Sequence, residues 1–589
     1  MRCILLFGWL VLFSAQVFSQ PADLRGIVLD GQDMSALPQA KILVLPDSIR
    51  DSCNQAGLFQ LRIPPDAQRI LFSCPGYKNR EISAKELSPF LKIFMEIDNE
   101  RNASIVVKNK AGYAITINPN FGNVLMPVNV NHAETYDRII EHKFVDAAED
   151  PLSTFALSVD RASYSNVRRF ISMQQPVPPE AVRIEELINY FHYHYRDPEN
   201  DLPLAVYTDL STCPWEPQHW LLRIAVKARA LQPEHLPPNN LVFLLDVSGS
   251  MDYPNKLPLL QRAFRLLVNN LRPEDRVAIV VYAGSAGLVL PSTSCAEKEK
   301  ILNALDHLHA GGSTAGGAGI KLAYQVAQAH FIPNGNNRVI LATDGDFNMG
   351  QSSDEDMRQL ILQEQGSGIS LTCLGVGMNN YKDSKLETLA RWGSGNFAYI
   401  DNQDEAEKVF GEEVVNMLFA LAKDTRLHIL FDPQQVKAYR LIGYENRLGK
   451  SDDSTVLELM GGDIGAGSSV TAFYELEPTL PLNRPDTVPR ELATVSLQYK
   501  GMKSDETQHI RREVSTSYRP FDKMDDDYRF ASAIALWGLL LRHSRYTGQG
   551  TYDKVEAIAR RACGDDEEHY RRQFLKLLKE QQKQERKSR

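Results

Sequence analysis

From residue 239 to residue 419, short runs of consecutive apolar residues alternate with longer stretches in which apolar positions recur every three or four residues. The runs Leu241 to Asp246, Arg276 to Tyr282, Arg338 to Thr343, Ser370 to Val376 and Phe397 to Ile400 read as strands. Their near-continuous apolar character suits strands covered on both faces of a mostly parallel sheet. Helices are predicted at Leu257 to Leu271, Glu297 to Leu308, Gly316 to His330, Asp354 to Gln365, Ser384 to Arg391 and Asp404 to Leu421. Alternation of this kind is the pattern of a doubly wound α/β sheet.

On either side the period shortens. Residues 204 to 229, 425 to 431, 438 to 444, 456 to 459, 468 to 477 and 492 to 499 read as strands. One β sandwich built from both flanks, with the α/β unit inserted into it, accounts for them economically, because insertion is tolerated where chain ends lie close together. Residues 23 to 97 alternate apolar stretches with turn residues and read as a separate, N-terminal β sandwich. Strand-like alternation is weak from Ile105 to Ile117, and residues 99 to 150 are read as a linker. Helical spacing returns at Ala162 to Phe170, and from Glu180 to Phe191 after Pro178 and Pro179. Past Asp525-Asp526-Asp527, acidic residues suited to a helix N-terminus, Phe530 to Arg542 is apolar nearly all round and reads as a buried helix. A last helix rich in Lys, Glu and Gln ends in the basic tail Arg586 to Arg589, read as a solvated face. The chain thus divides at 1–19, 20–98, 99–150, 151–238, 239–419, 420–520 and 521–589, a multidomain protein of α/β plus all-β class with a C-terminal helical region.

Residues 1 to 19 begin with Arg2 and an apolar run from Ile4 to Phe13, too short for a membrane-spanning helix, and predict a cleaved secretory signal peptide. No later stretch is apolar for long enough to span a bilayer, so the mature chain is expected in the periplasm or at the cell surface. A formal charge of −9 argues against generic nucleic-acid binding. Six scattered cysteines follow the signal, too few for a disulfide framework. Cys53 and Cys74 either pair or stand as two buried thiols. No Cys/His cluster suggests zinc. His192 and His194 place two imidazoles on one face of a predicted strand but lack a third ligand, so the run Tyr190 to Tyr195 is read as an aromatic packing surface.

The candidate chemistry lies at strand ends. Asp246, Ser248 and Ser250 follow the first central strand at intervals of two, with Gly249 allowing a tight turn. They are hard oxygen donors carrying too little charge to hold a cation alone. An open parallel sheet binds ligands at the carboxyl ends of its strands. Two more loops there offer oxygens: Gly311 to Gly317, containing Thr314, and Thr343-Asp344-Gly345-Asp346. The glycines of the former lack the Gly-Lys-Ser/Thr ending of a phosphate loop, and no serine elbow is present.

Together Asp246, Ser248, Ser250, Thr314 and Asp344 resemble the metal-ion-dependent adhesion site of von Willebrand factor type A (VWA) domains, whose sheet is Rossmann-like. By that resemblance Ser248, Ser250 and Thr314 offer hydroxyl oxygens, while Asp246 and Asp344 contribute charge directly or through water. The resemblance implies Mg²⁺, with Ca²⁺ or Mn²⁺ as alternatives, and a partner protein whose Asp or Glu carboxylate completes the shell. Asp346 is read as supporting its loop. The segments Pro151 to Phe170, Arg183 to Phe191, Cys213-Pro214-Trp215, Ala310 to Ile320, Ala342 to Asn348 and Tyr439 to Arg447 are similar to a bacterial family of exported YfbK-type VWA proteins. Gly26-Ile27-Val28, Ala56 to Phe59 and Phe72 to Tyr77 resemble a carboxypeptidase regulatory-like domain. These resemblances imply a non-enzymatic, metal-dependent protein-binding role in adhesion or complex assembly. The alternative is a cell-envelope scaffold whose β domains bind partners without metal. A hydrolase using Asp246 as nucleophile would need a second aspartate two residues on and a matched general acid, and neither is present.

Overall fold

The computed structural model describes residues 22 to 588 apart from internal stretches, chiefly 84–89, 97–104, 118–135, 312–315, 346–358, 446–460 and 481–488. The predicted signal peptide, most of the predicted helix Asp354 to Gln365 and the predicted strand 456 to 459 fall outside the described residues. Among the described residues no helix is long and apolar enough to cross a membrane. The chain forms two compact units, residues 1 to 128 and 129 to 589.

In the first unit, Leu58–Ile63 alternates exposed and buried positions, as a strand with one face inward must. It pairs with Ala22–Asp30, which also pairs with Phe90–Met95. A second sheet runs in the order Ile49–Ser52, Lys41–Leu45, Arg69–Ser73 and Arg80–Ser83. Side chains from both sheets share one core, including Val28, Phe59, Val44 and Phe72. At Gly26 a Cβ would meet Leu91 O and the Phe59 ring at 2.5 Å, so only glycine fits there. Cys53 and Cys74 are thiols, and burial pushes that of Cys53 up to about 11. Within the predicted linker, Ile105–Lys108 and Ala114–Ile117 pair as a hairpin.

The central sheet of the second unit has the order Ala286–Ser294, Arg276–Tyr282, Asn239–Asp246, Asn336–Thr343, Ser370–Val376 and Phe397–Ile400. Its strands run parallel except Ala286–Ser294, an antiparallel edge strand that the apolar pattern did not reveal. Hydrophobic side chains cover both faces: Phe243, Phe264 and Phe410 on one, Leu244, Tyr282 and Tyr324 on the other. The flanking strands form two further sheets. One joins Val145–Asp146, Val436–Ile442, Ser469–Pro478, Trp220–Ala228 and Leu204–Thr212; the other joins Leu152–Ala156, Ala420–Phe431, Glu491–Gly501 and Thr507–Ser515. Their inner faces share a core containing Phe155, Leu222, Ile429 and Tyr474. Strands before and after the central sheet therefore pair with each other, and the end of the predicted linker is itself a strand of this assembly.

Three expectations change. The predicted helix Asp404 to Leu421 is broken into the helix Gln403–Glu407, a wide π turn Lys408–Glu412 and the helix Val414–Leu418, and Ala420 already begins a strand. The segment holding His192 and His194 is not a strand. The early helices Ala162–Ser172 and Ile184–Asn189 pack with the late helices Asp526–Leu541, Tyr552–Arg561 and Tyr570–Ser588 around one core, where Tyr164, Leu187, Trp537 and Phe574 meet.

Candidate metal centre

The strand Asn239–Asp246 is buried along its whole length and delivers Asp246 to the carboxyl edge of the sheet. Three neighbouring strand ends hold that carboxylate. Oδ1 accepts the Ser248 backbone N–H at 2.9 Å. Oδ2 accepts Thr343 Oγ1 at 3.0 Å and the hydroxyl of Tyr282, the register partner of Asp246, at 3.3 Å. The Asp246–Ser248 bond tightens the turn, and Gly249–Met251 forms a single 3₁₀ turn with buried Met251 as its apolar anchor. The Ser248 and Ser250 hydroxyls then stand 3.1 Å apart.

The second acid arrives on the adjoining strand. Asn336–Thr343 ends in Thr343-Asp344, both fully buried, and Gly345 turns the chain at φ 91°, with its N–H bonded to Thr343 Oγ1. Burial pushes the Asp246 carboxyl above its ordinary value; hydrogen bonds from Ser248 lower it, and the charge of Asp344 raises it further. The loop leading to Thr314 starts beside the same site, since Gly311 N donates to Val247 O at 2.7 Å. Thr314 and Asp346 lie outside the described residues. The structure thus brings together Asp246, Ser248, Ser250 and Asp344 of the five predicted ligands.

One residue escaped the sequence reading. Lys256, just before the helix Leu257–Asn270, donates from Nζ to Asp344 Oδ2 at 2.8 Å. Its side chain is 7% exposed and lies against Gly377, where a Cβ would approach Lys256 Cε to 2.4 Å at a backbone φ of 78°. Nothing in the pattern around Lys256 separates it from an ordinary surface lysine preceding a helix. Only the fold turns it inward.

The donor set suits a small hard cation. Adjacent ligands of an octahedral ion at about 2.1 Å are separated by roughly 3.0 Å, close to the 3.1 Å between Ser248 Oγ and Ser250 Oγ. Two buried carboxylates supply the charge. Ser248, Ser250, Asp246 and Asp344 are therefore the residues that would hold such an ion, with Lys256 as the local cation without it.

The second unit matches three family models in succession: von Willebrand factor over residues 130–223, von Willebrand factor type A domain over residues 240–412, and uncharacterized protein YfbK, C-terminal, over residues 416–584. The chain is 37% identical over 464 residues to uncharacterized protein YfbK of Escherichia coli (strain K12), an alignment covering 75% of this chain and 80% of that one. The chain belongs to the YfbK family. The VWA domain of this YfbK-family chain extends its likeness further. Inter alpha-trypsin inhibitor, heavy chain 4, of Mus musculus is 28% identical over 200 residues, which is 32% of this chain and 21% of that protein. A solved von Willebrand factor type A structure from Catenulispora acidiphila covers 64% of the YfbK-family chain and 89% of its own, with 16% identity and a TM-score of 0.40.

Proposed function

We propose that this YfbK-family protein is an exported, metal-dependent protein-binding module of the bacterial cell envelope, working in adhesion or complex assembly rather than catalysis. Asp246, Ser248, Ser250, Thr314 and Asp344 hold Mg²⁺, or in its place Ca²⁺ or Mn²⁺, and an Asp or Glu side chain of a partner protein fills the remaining position. The N-terminal unit is a carboxypeptidase regulatory-like accessory domain. The observation that carries this reading is the pair of serine hydroxyls 3.1 Å apart beside the buried carboxylates Asp246 and Asp344, at the ends of adjacent parallel strands.

Binding of Mg²⁺ to the folded state raises its stability by mass action, by about 2.7 kcal/mol at a hundredfold excess over Kd. Magnesium is therefore expected to raise the thermal midpoint of the wild type and leave that of the Ser248→Ala/Ser250→Ala variant unmoved, while both have the same circular dichroism. Partner capture from envelope extract should be lost with chelator and in the double variant. A wild type indifferent to Mg²⁺, Ca²⁺ and Mn²⁺ defeats the metal reading; capture that survives in the double variant supports the metal-independent scaffold.

A further inference from the structure

His192 sits in a setting that the aromatic run around it conceals. Tyr190, Phe191 and Tyr193 are buried in the helical core. His192 points the other way, into a cavity of about 670 Å³ lined by two acidic runs, Asp525 to Asp527 and Asp565 to Glu568. Both ring nitrogens face carboxylates: Nδ1 is 2.9 Å from Glu568 Oε2, and Nε2 is 2.8 Å from Glu413 Oε1. An imidazole ring can donate an N–H to one carboxylate and offer the lone pair of its other nitrogen to a cation held with the second.

The two carboxylates differ in what neutralises them. Glu413 is buried and paired with Arg161 and with Lys408, whose Nζ is 3.4 Å away. Glu568 and the nearby Glu412 are exposed, and the charge of Lys408 acts on Glu412 as well as on Glu413. Glu412 Oε2 accepts the Tyr570 hydroxyl at 2.8 Å, which leaves its other oxygen for a ligand. One ligand atom each from His192, Glu412 and Glu568 lies within 4.8 Å of the other two. These residues come from three separate parts of the chain, and each is held from behind. The ring before His192 is packed, the π turn Lys408–Glu412 presents Glu412 next to Glu413, and Asp566 anchors the loop of Glu568 by accepting the backbone N–H groups of Arg571 and Arg572.

We propose that His192, Glu412 and Glu568 form a second metal site, for a borderline divalent cation of the Zn²⁺ class, with a water-filled position open to the acidic cavity. The imidazole decides the class, because Mg²⁺ and Ca²⁺ prefer all-oxygen shells whereas nitrogen with carboxylate oxygen suits Zn²⁺ and its transition-metal neighbours. Tetrahedral zinc places its ligand atoms roughly 3.3 to 3.5 Å apart, so the exposed glutamates need to shift by about 1 Å to close on it. The bound ion would sit between His192 Nδ1 and the carboxylates of Glu412 and Glu568. It would also tie together the segment ahead of the VWA domain, the exit from that domain and the C-terminal helices. The site shares no residue with the Asp246 loops and does not depend on the magnesium reading.

The test uses the full-length mature protein without a histidine tag, carrying Ser248→Ala/Ser250→Ala so that the strand-end site is silent. Titration with Co²⁺ is followed by visible absorption and then by displacement with Zn²⁺, and thermal unfolding in chelator is recorded in parallel. One Co²⁺ per chain should bind and be displaced by one Zn²⁺. Glu568→Gln and His192→Gln should each weaken binding by about tenfold or more with the metal-free unfolding midpoint preserved. Glu568 is exposed, so its variant remains informative if the His192 variant folds poorly. Absence of stoichiometric Co²⁺ binding, or equal affinity in the Glu568→Gln protein, overturns the proposal.

Discussion

Lys256 shows what a single residue contributes to the strand-end site. Its ammonium and a divalent cation would draw on the same carboxylate, since Asp344 is fully buried and Oδ2 already accepts Lys256 Nζ. Lys256→Met keeps the side-chain stem and removes the charge from beside a buried acid. Losing one member of a buried pair costs about 3 kcal/mol, so metal-free stability in urea should fall by that order. Magnesium affinity by calorimetry should rise about tenfold, because the competing cation is gone. His142 provides a pH dependence. Burial holds its imidazole well below the ordinary value of 6.5, at about 4, with Glu185 opposing the shift and Arg542 and Arg440 adding to it. A depressed imidazole contributes its full stability above pH 6.5, and that contribution is lost as pH falls toward 4, because the unfolded chain takes up the proton first. Between those limits the wild type should lose up to about 3 kcal/mol more unfolding free energy than His142→Leu, measured by urea denaturation at each pH.

At the scale of elements, ends and breaks matter more than interiors. Asp525 caps the helix Asp526–Leu541 by accepting Tyr528 N–H at 2.7 Å, and it lies 3.3 Å from Arg223. Asp525→Ala should cost about 1 to 2 kcal/mol, while Asp525→Asn keeps most of the cap; thermal unfolding of the two separates cap from charge. Strands with covered faces were legible because their side chains are apolar on both sides. The edge strand Ala286–Ser294 was not, since Gly284, Ser285 and Gly287 read as a turn and Pro291 removes a ladder donor. Its irregular register against Arg276–Tyr282 fits an edge position. The helix expected from Asp404 to Leu421 has suitable spacing, yet tertiary contacts reshape it. The wide turn Lys408–Glu412 buries Lys408 against the rings of Tyr190 and Tyr570 and directs Glu413 to Arg161.

For the second unit as a whole, the helical core is completed only by the last part of the chain. Trp537 and Phe574 meet at 5.0 Å between ring centroids, and Trp537 also packs against Tyr164. A chain ending at Pro520 exposes the apolar faces of Ala162–Ser172 and Ile184–Asn189. Limited proteolysis should then cut between residues 161 and 195 at protease concentrations that leave the full-length protein intact there.

By itself the sequence determined the class of the central sheet, the insertion of that sheet between paired flanking strands, and the strand-end positions of Asp246, Ser248, Ser250 and Asp344. All of these follow from local signals: apolar runs, turn residues and the fixed relation between a strand's end and the loop that follows it. Only the tertiary structure decided that Lys256 turns inward to Asp344, that the early and late helices share a core, and that His192 meets Glu412 and Glu568. Those juxtapositions join residues tens to hundreds of positions apart, and they depend on how packed elements orient their side chains. Hydrophobic periodicity records which face of an element is buried, but not which distant charge will be buried against it.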